Sequence, residues 1–157
     1  MKTKNILTFL LLIFISFGYS QKKELRTANK FYDSGEYLSA LDLLETSMSI
    51  FDSSDDKIKS QVMFLYGKIY TSTEDFELAI KSFNNSRELG ANENDLNSEI
   101  NKLETAIITS AIADNESENF SDAAKKLKIV YDINPENNAL YLYYAASSAV
   151  NSNDLSL

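Results

Sequence analysis

The chain has 157 residues, enough for one domain with a sizeable core, and 15 basic residues stand against 23 acidic ones for a net charge of −8. There is no cysteine and no histidine, which excludes disulfide frameworks, thiolate metal sites, cysteine nucleophiles and the commonest general base. Four glycines and one proline are too few for a sheet protein with many tight turns. The acidic balance argues against nucleic acid and anionic membranes as main partners.

Residues 1–20 have the pattern of a secretory signal peptide. Lys2 and Lys4 form a basic start, and an apolar run from Ile6 to Phe17 is interrupted only by Thr8 and Ser16. Gly18 and Ser20 then place small residues around a cut before Gln21. The run is too short to span a bilayer, which takes roughly 20 apolar residues. Export to the periplasm or the medium is therefore expected, with cleavage after Ser20 and no direct membrane span afterwards. Losing Lys2 and Lys4 would leave 13 basic residues against 23 acidic, a net charge of −10.

From Gln21 onward, apolar residues recur with the 3.6-residue period of amphipathic helices. The first predicted helix carries Leu25, Ala28, Phe31 and Tyr32, and the second Tyr37, Ala40, Leu41, Leu44 and Met48. Asp52, Asp55 and Asp56 follow; they lack the alternating oxygens and closing glutamate of a calcium loop, so Phe51–Asp56 reads as a solvated connection. The third helix carries Val62, Leu65, Tyr66, Ile69 and Tyr70, and the fourth Phe76, Ala79, Ile80 and Phe83. Gly90–Glu99 reads as a second extra connection. A fifth helix is expected over Leu96 to Ala113, and a sixth carries Phe120, Ala123, Ala124, Leu127, Val130 and Tyr131. Pro135 ends it. The seventh covers Leu140 to Val150, with Ala145, Ala146 and Ala149 on its tightest face and the Tyr141-Leu142-Tyr143-Tyr144 cluster read as core packing. An eighth is only begun.

One corner is written four times: Ser34-Gly35-Glu36-Tyr37, Thr73-Glu74-Asp75-Phe76, Ser117-Glu118-Asn119-Phe120 and Ser152-Asn153-Asp154-Leu155. In the first three an alanine follows after two further residues (Ala40, Ala79, Ala123), and the fourth stops one residue short of it. Glu36, Asp75, Asn119 and Asp154 are placed to cap or charge the next helix.

These residues resemble the tetratricopeptide repeat, in which a small residue, an aromatic, Gly-x-Tyr-x-x-Ala, a large apolar residue and a late proline recur over 34 positions. The first copy supplies Ala28, Phe31, Gly35, Tyr37, Ala40 and Leu44; the second Gly67, Tyr70, Phe76, Ala79 and Phe83. The third supplies Ala111, Phe120, Ala123, Leu127 and Pro135, and the fourth Ala146, Ala149 and Leu155. The resemblance implies an all-α chain: helix–turn–helix repeats stacked as a right-handed solenoid over residues 21–157. The repeats fall at about 21–54, 60–93, 104–137 and 139–157, the last incomplete, so an N-terminal fragment of a longer protein is expected. The pattern departs from the family where Glu74 and Glu118 replace the corner glycine and Asp114 replaces an aromatic. Its alanines also stand 39 and 44 residues apart, not 34.

The same resemblance implies a concave groove lined by the first helix of each pair, which takes an extended peptide or a partner helix. The positions carried across are Asn29, Tyr32, Phe64, Lys68 and Thr71, with Leu25, Asp33 and Ser72 beside them. The expected function is a protein-binding scaffold in the cell envelope, not an enzyme, without cofactor, metal or nucleic acid. Two other readings stand beside it. The chain could lead into a larger exported protease or kinase whose catalytic domain lies beyond Leu157, or it could be a self-assembling structural repeat.

Overall fold

The computed structural model describes residues 21–152; the expected signal peptide and the end of the fourth corner lie outside them. The described residues are helical throughout, with no strand among them. Residues 21–33 form α1. It is followed by α2 (Tyr37–Thr46), α3 (Met48–Asp52), α4 (Asp56–Ser72), α5 (Phe76–Glu88), α6 (Glu93–Glu116), α7 (Phe120–Ile133) and α8 (Ala139–Ser152). None of these helices is long and apolar enough to cross a membrane. They form two compact units that divide between Leu96 and Asn97, near the start of α6.

Three corners share one backbone geometry. After α1, the N–H of Glu36 donates to the Phe31 carbonyl at 2.9 Å and that of Gly35 to Tyr32 at 2.9 Å. After α4, Asp75 bonds Tyr70 and Glu74 bonds Thr71; after α6, Asn119 bonds Asp114 and Glu118 bonds Asn115. This nested pair of bonds is the Schellman closure of a helix, which needs a left-handed residue at its turn. Gly35 supplies it without strain (φ 78°), whereas Glu74 (φ 64°) and Glu118 (φ 61°) adopt it as non-glycine residues. The missing corner glycines therefore cost backbone strain and leave the corner intact. Gly90 (φ 86°) closes α5 in the same way.

The residues expected to cap the following helices sit at the N-cap positions, but none of Glu36, Asp75 and Asn119 makes a side-chain capping bond. Their backbone is turned to φ near −80° and ψ near 60°, not the extended form that aims a capping oxygen at the helix. Each instead gives its carbonyl to the corner alanine: Ala40, Ala79 and Ala123 donate to it at 3.0, 3.0 and 3.1 Å. All three alanines are fully buried. Asp55 is a true cap, accepting from the Ile58 N–H at 2.9 Å.

In the first unit, α4 and α5 form an antiparallel hairpin: Gly67 faces Phe83, and Ser60 faces Ser86 further from the corner. The two serines are buried, and each hydroxyl donates to the other's backbone carbonyl, at 3.0 and 2.9 Å. Tyr32 against Tyr37, and Gln21 donating to the Ile50 carbonyl, give α1 and the α2–α3 segment the same antiparallel sense. Leu25, Ala28, Leu44, Phe51, Val62 and Ile69 are among the core residues these helices share. The second predicted helix does not run on to Met48. It breaks at buried Ser47, and the short α3 turns Phe51 into the core at 2% exposure. Burying a phenylalanine is worth about 2 kcal/mol, more than continuing one helical turn.

In the second unit, α7 packs against both α6 and α8. Asp114 pairs with Lys126 of α7 at 2.6 Å, both side chains being largely buried. Lys126 also reaches the Ser110 hydroxyl at 2.8 Å. α6 and α8 are tied at two points: Asn138 Nδ2 donates to Glu104, and the Ser148 hydroxyl donates to Asn115. The partners are 34 and 33 residues apart, so α8 runs parallel to α6. Ala145, not Ala146, takes the buried place against Ala111 and Leu127; Ala146 is exposed. The tyrosine cluster is not core either. Tyr141 is half-buried there, but Leu142, Tyr143 and Tyr144 are exposed.

Candidate groove of the first unit

An open groove of about 990 Å³ lies in the first unit between α1, α4 and the start of α6. Its floor is apolar, made by Leu25, Ile58, Phe64 and Leu65. The pattern behind it is simple. On α1 the stripe Lys22, Leu25, Arg26, Asn29 recurs at helical spacing, and on α4 the stripe Lys57, Gln61, Phe64 does the same. Each stripe presents one face of its helix to the groove.

Three amides line the walls: Asn29 from α1, Gln61 from α4 and Asn92 from the turn before α6. Asn29 Nδ2 is used on the Leu25 carbonyl at 2.9 Å, and its Oδ1 accepts no bond from the described residues. Asn92 Oδ1 is engaged in capping α6, accepting from the N–H groups of Asn94 and Asp95. Lys22, Arg26 and Lys57 stand at the rim, exposed and without ion-pair partners among the described residues. Asp95 is exposed there too, and Asp55 is held by its cap. The groove thus joins an apolar floor to amide groups that can both donate and accept, under a basic rim.

Of the expected partner-binding set, Asn29 and Phe64 line this groove. Tyr32 and Lys68 lie nearer the corners, where the Lys68 ammonium sits 4.2 Å from the Tyr32 ring centre. That contact ties α1 to α4 and holds the lysine over an aromatic face. Thr71 turns its hydroxyl back to the Gly67 carbonyl at 2.8 Å, as does Ser72 to Lys68. The groove lies one helical turn towards the helix starts from the predicted set. Lys22, Arg26 and Gln61 were not singled out, although each is one turn from a residue that was.

Among the repeat positions, Ala28, Ala40, Ala79, Ala123 and Phe76 are buried, while Tyr37, Tyr70 and Phe120 are half-buried. Gly35 and Pro135 are exposed and act through the backbone. Gly67 is a packing glycine: a Cβ there would stand 2.5 Å from the Phe83 ring.

Two tyrosines on α4 are electrostatically unusual. Burial, with Tyr70 and the carboxylates of Glu45 and Asp52 as smaller contributions, raises the pKa of Tyr66. Its hydroxyl is buried and finds no hydrogen-bond partner among the described residues. Tyr70, stacked on it at 5.8 Å, is raised in the same direction, again chiefly by burial. Neither lines the groove, and their surroundings are those of a core.

No family model, curated protein or solved structure matches the chain.

Proposed function

We propose that the chain is an exported tetratricopeptide-type scaffold that binds an extended segment of another protein in the groove of its first unit. The observation that carries this reading is the groove itself. An apolar floor flanked by side-chain amides suits a peptide, which offers apolar side chains and an unpaired backbone together. Repeat identity draws support from the three identical corners and from the offset of about 34 residues between α6 and α8. Export rests on the leader pattern of residues 1–20, and a first residue of Gln21 in the processed protein is the expected mass-spectrometric result.

Binding is tested by capture from the cells that make the protein, comparing the natural chain with Arg26→Ala and Phe64→Ala. Arg26 is exposed, whereas Phe64 is half-buried and meets the Phe83 ring edge-on, so an unchanged circular dichroism spectrum and melting curve are required of each variant before its binding is compared. A partner held in the groove should bind at least tenfold more weakly to each, about 1.4 kcal/mol. Equal recovery of every captured protein by all three chains would refute the assignment.

A further inference from the structure

A second opening of the first unit is a cleft of about 410 Å³ between α3, α4 and the end of α5. Met48 lines it from α3 and Met63 from α4, both half-buried and both packed against the core. The chain holds no cysteine and three methionines in all, the third being Met1. Every sulfur-bearing side chain among the described residues therefore lines this one cleft. There is no tryptophan either, so a two-electron oxidant finds its most reactive side chains here.

α3 depends on the seam that these two side chains help to fill. It has five residues, and Phe51 is its one buried side chain. Its first backbone bonds both run to the Ser47 carbonyl, which accepts from Ile50 at 2.9 Å and from Phe51 at 3.2 Å. A helix this short is not stable in water on its own, so packing on α4 keeps it formed. Methionine suits such a seam while its sulfur is a thioether, apolar and adaptable. A sulfoxide carries a strong acceptor oxygen, and burying that oxygen without a donor is unfavourable. The donors stand in the cleft and not in the core. Lys59, one helical turn before Met63, and Asn85 of α5 both line it. Neither side chain makes a hydrogen bond or ion pair with the described residues. A sulfoxide oxygen that turns out of the seam meets these donors, which gives the oxidised arrangement a bonding partner of its own.

We infer that Met48 and Met63 form a reversible oxidation site, and that hydrogen peroxide converts them to sulfoxides that release α3 from α4. In each step the peroxide O–O bond breaks and one oxygen forms the bond to sulfur. Sulfur gives up two electrons, and the second oxygen leaves as water with both hydrogens. A methionine sulfoxide reductase, with a thiol as reductant, returns the thioether and water. The site concerns the α3–α4 seam and stands whether or not the groove binds a peptide.

Hydrogen peroxide treatment of the purified folded chain tests it, with peptide mapping to place the added oxygens and amide exchange by mass spectrometry to follow α3. Both methionines should oxidise within about tenfold of their rate in the urea-unfolded chain, as accessible thioethers do. In the oxidised chain the amides of residues 48–54 should exchange about tenfold faster or more, while those of α5 keep their protection. Methionine sulfoxide reductase should restore the slow exchange. Met48→Leu combined with Met63→Leu keeps the seam apolar at similar volume, and exchange in that variant should ignore peroxide. Oxidation of the two methionines only after unfolding overturns the inference. So does an oxidised chain whose residues 48–54 exchange as before, and so does a peroxide effect that persists in the leucine variant. Equal loss of protection in α3 and α5 overturns it by making the change a general unfolding. Exchange of residues 48–54 at the unfolded rate before any oxidation also overturns it, because the seam would then not be holding α3.

Discussion

Gly67→Ala tests the packing of the α4–α5 hairpin, on which one side of the groove stands. The added methyl would lie 2.5, 2.6 and 2.8 Å from three atoms of the Phe83 ring, against 3.5–4.0 Å for relaxed carbon contacts. The ring has little room to withdraw. It is 1% exposed and already meets Phe64 edge-on at 5.8 Å between centroids. Overpacking of this kind costs 1–3 kcal/mol, and displacement of about 1 Å places it at the upper end. Alanine's helical preference over glycine returns about 1 kcal/mol. The net expectation is a loss of about 2 kcal/mol, or a Tm lower by about 8 °C in a domain of this size. Urea denaturation followed by circular dichroism measures it. In a Phe83→Leu background, where the ring is gone, Gly67→Ala should cost at least 1 kcal/mol less than in the natural chain. If Gly67→Ala proves neutral or stabilising in the natural chain, the close approach at this point is not real.

Other outcomes follow from the same geometry. Glu118→Gly relieves the left-handed strain at the third corner and should stabilise by about 1 kcal/mol, while Gly35→Ala at the first should destabilise by about as much; thermal denaturation reads both. Tyr66→Phe removes a buried hydroxyl without a hydrogen-bond partner among the described residues and should stabilise by about 1 kcal/mol. It should also change the alkaline limb of a stability–pH profile. The raised pKa of Tyr66 keeps it neutral in the folded chain while the unfolded chain ionises above about pH 10. Its contribution is therefore complete below that pH and is lost as pH climbs beyond it, and the phenylalanine variant should lose less, with Tyr70 leaving a residual slope. Asn138→Ala deletes both the bond to the Val130 carbonyl and the link to Glu104; a cost of about 1–3 kcal/mol in chemical denaturation is expected.

The helices and corners were legible because each rests on local signals. Apolar spacing marked the buried faces, and the recurring alanines Ala40, Ala79 and Ala123 marked where helices meet. The misreadings have physical causes. Gly90–Glu99 looked like a loop because it holds glycine and asparagines, yet only Gly90 is needed for the turn, and α6 begins as early as Glu93. The stretch read as an extra connection is thus mostly the start of a 24-residue helix. The break at Ser47 was invisible because it is driven by Phe51, whose burial depends on α4. Asp114 looked like a defect, since nothing local reveals that Lys126, 12 residues on, meets it across the corner. The tyrosines of α8 read as core because their spacing is helical, and spacing cannot distinguish a face that is covered from one that is not.

For the groove, the residue types were legible and the register was not. Asn29 and Phe64 line it, but Tyr32 and Lys68 satisfy one another and Thr71 satisfies the backbone. The rim cations Lys22, Arg26 and Lys57 could have been found from the same stripes by extending them one turn towards the helix starts.

The central claim is that the groove holds another protein, and the most direct measurement is photo-crosslinking in living cells from a benzophenone side chain at Gln61, in the middle of the groove wall. The account predicts a discrete protein adduct from that position that is lost on adding Phe64→Ala, and none from Leu78, which is exposed on α5 outside the groove. Adducts of equal yield from both positions, or none from Gln61, would contradict it.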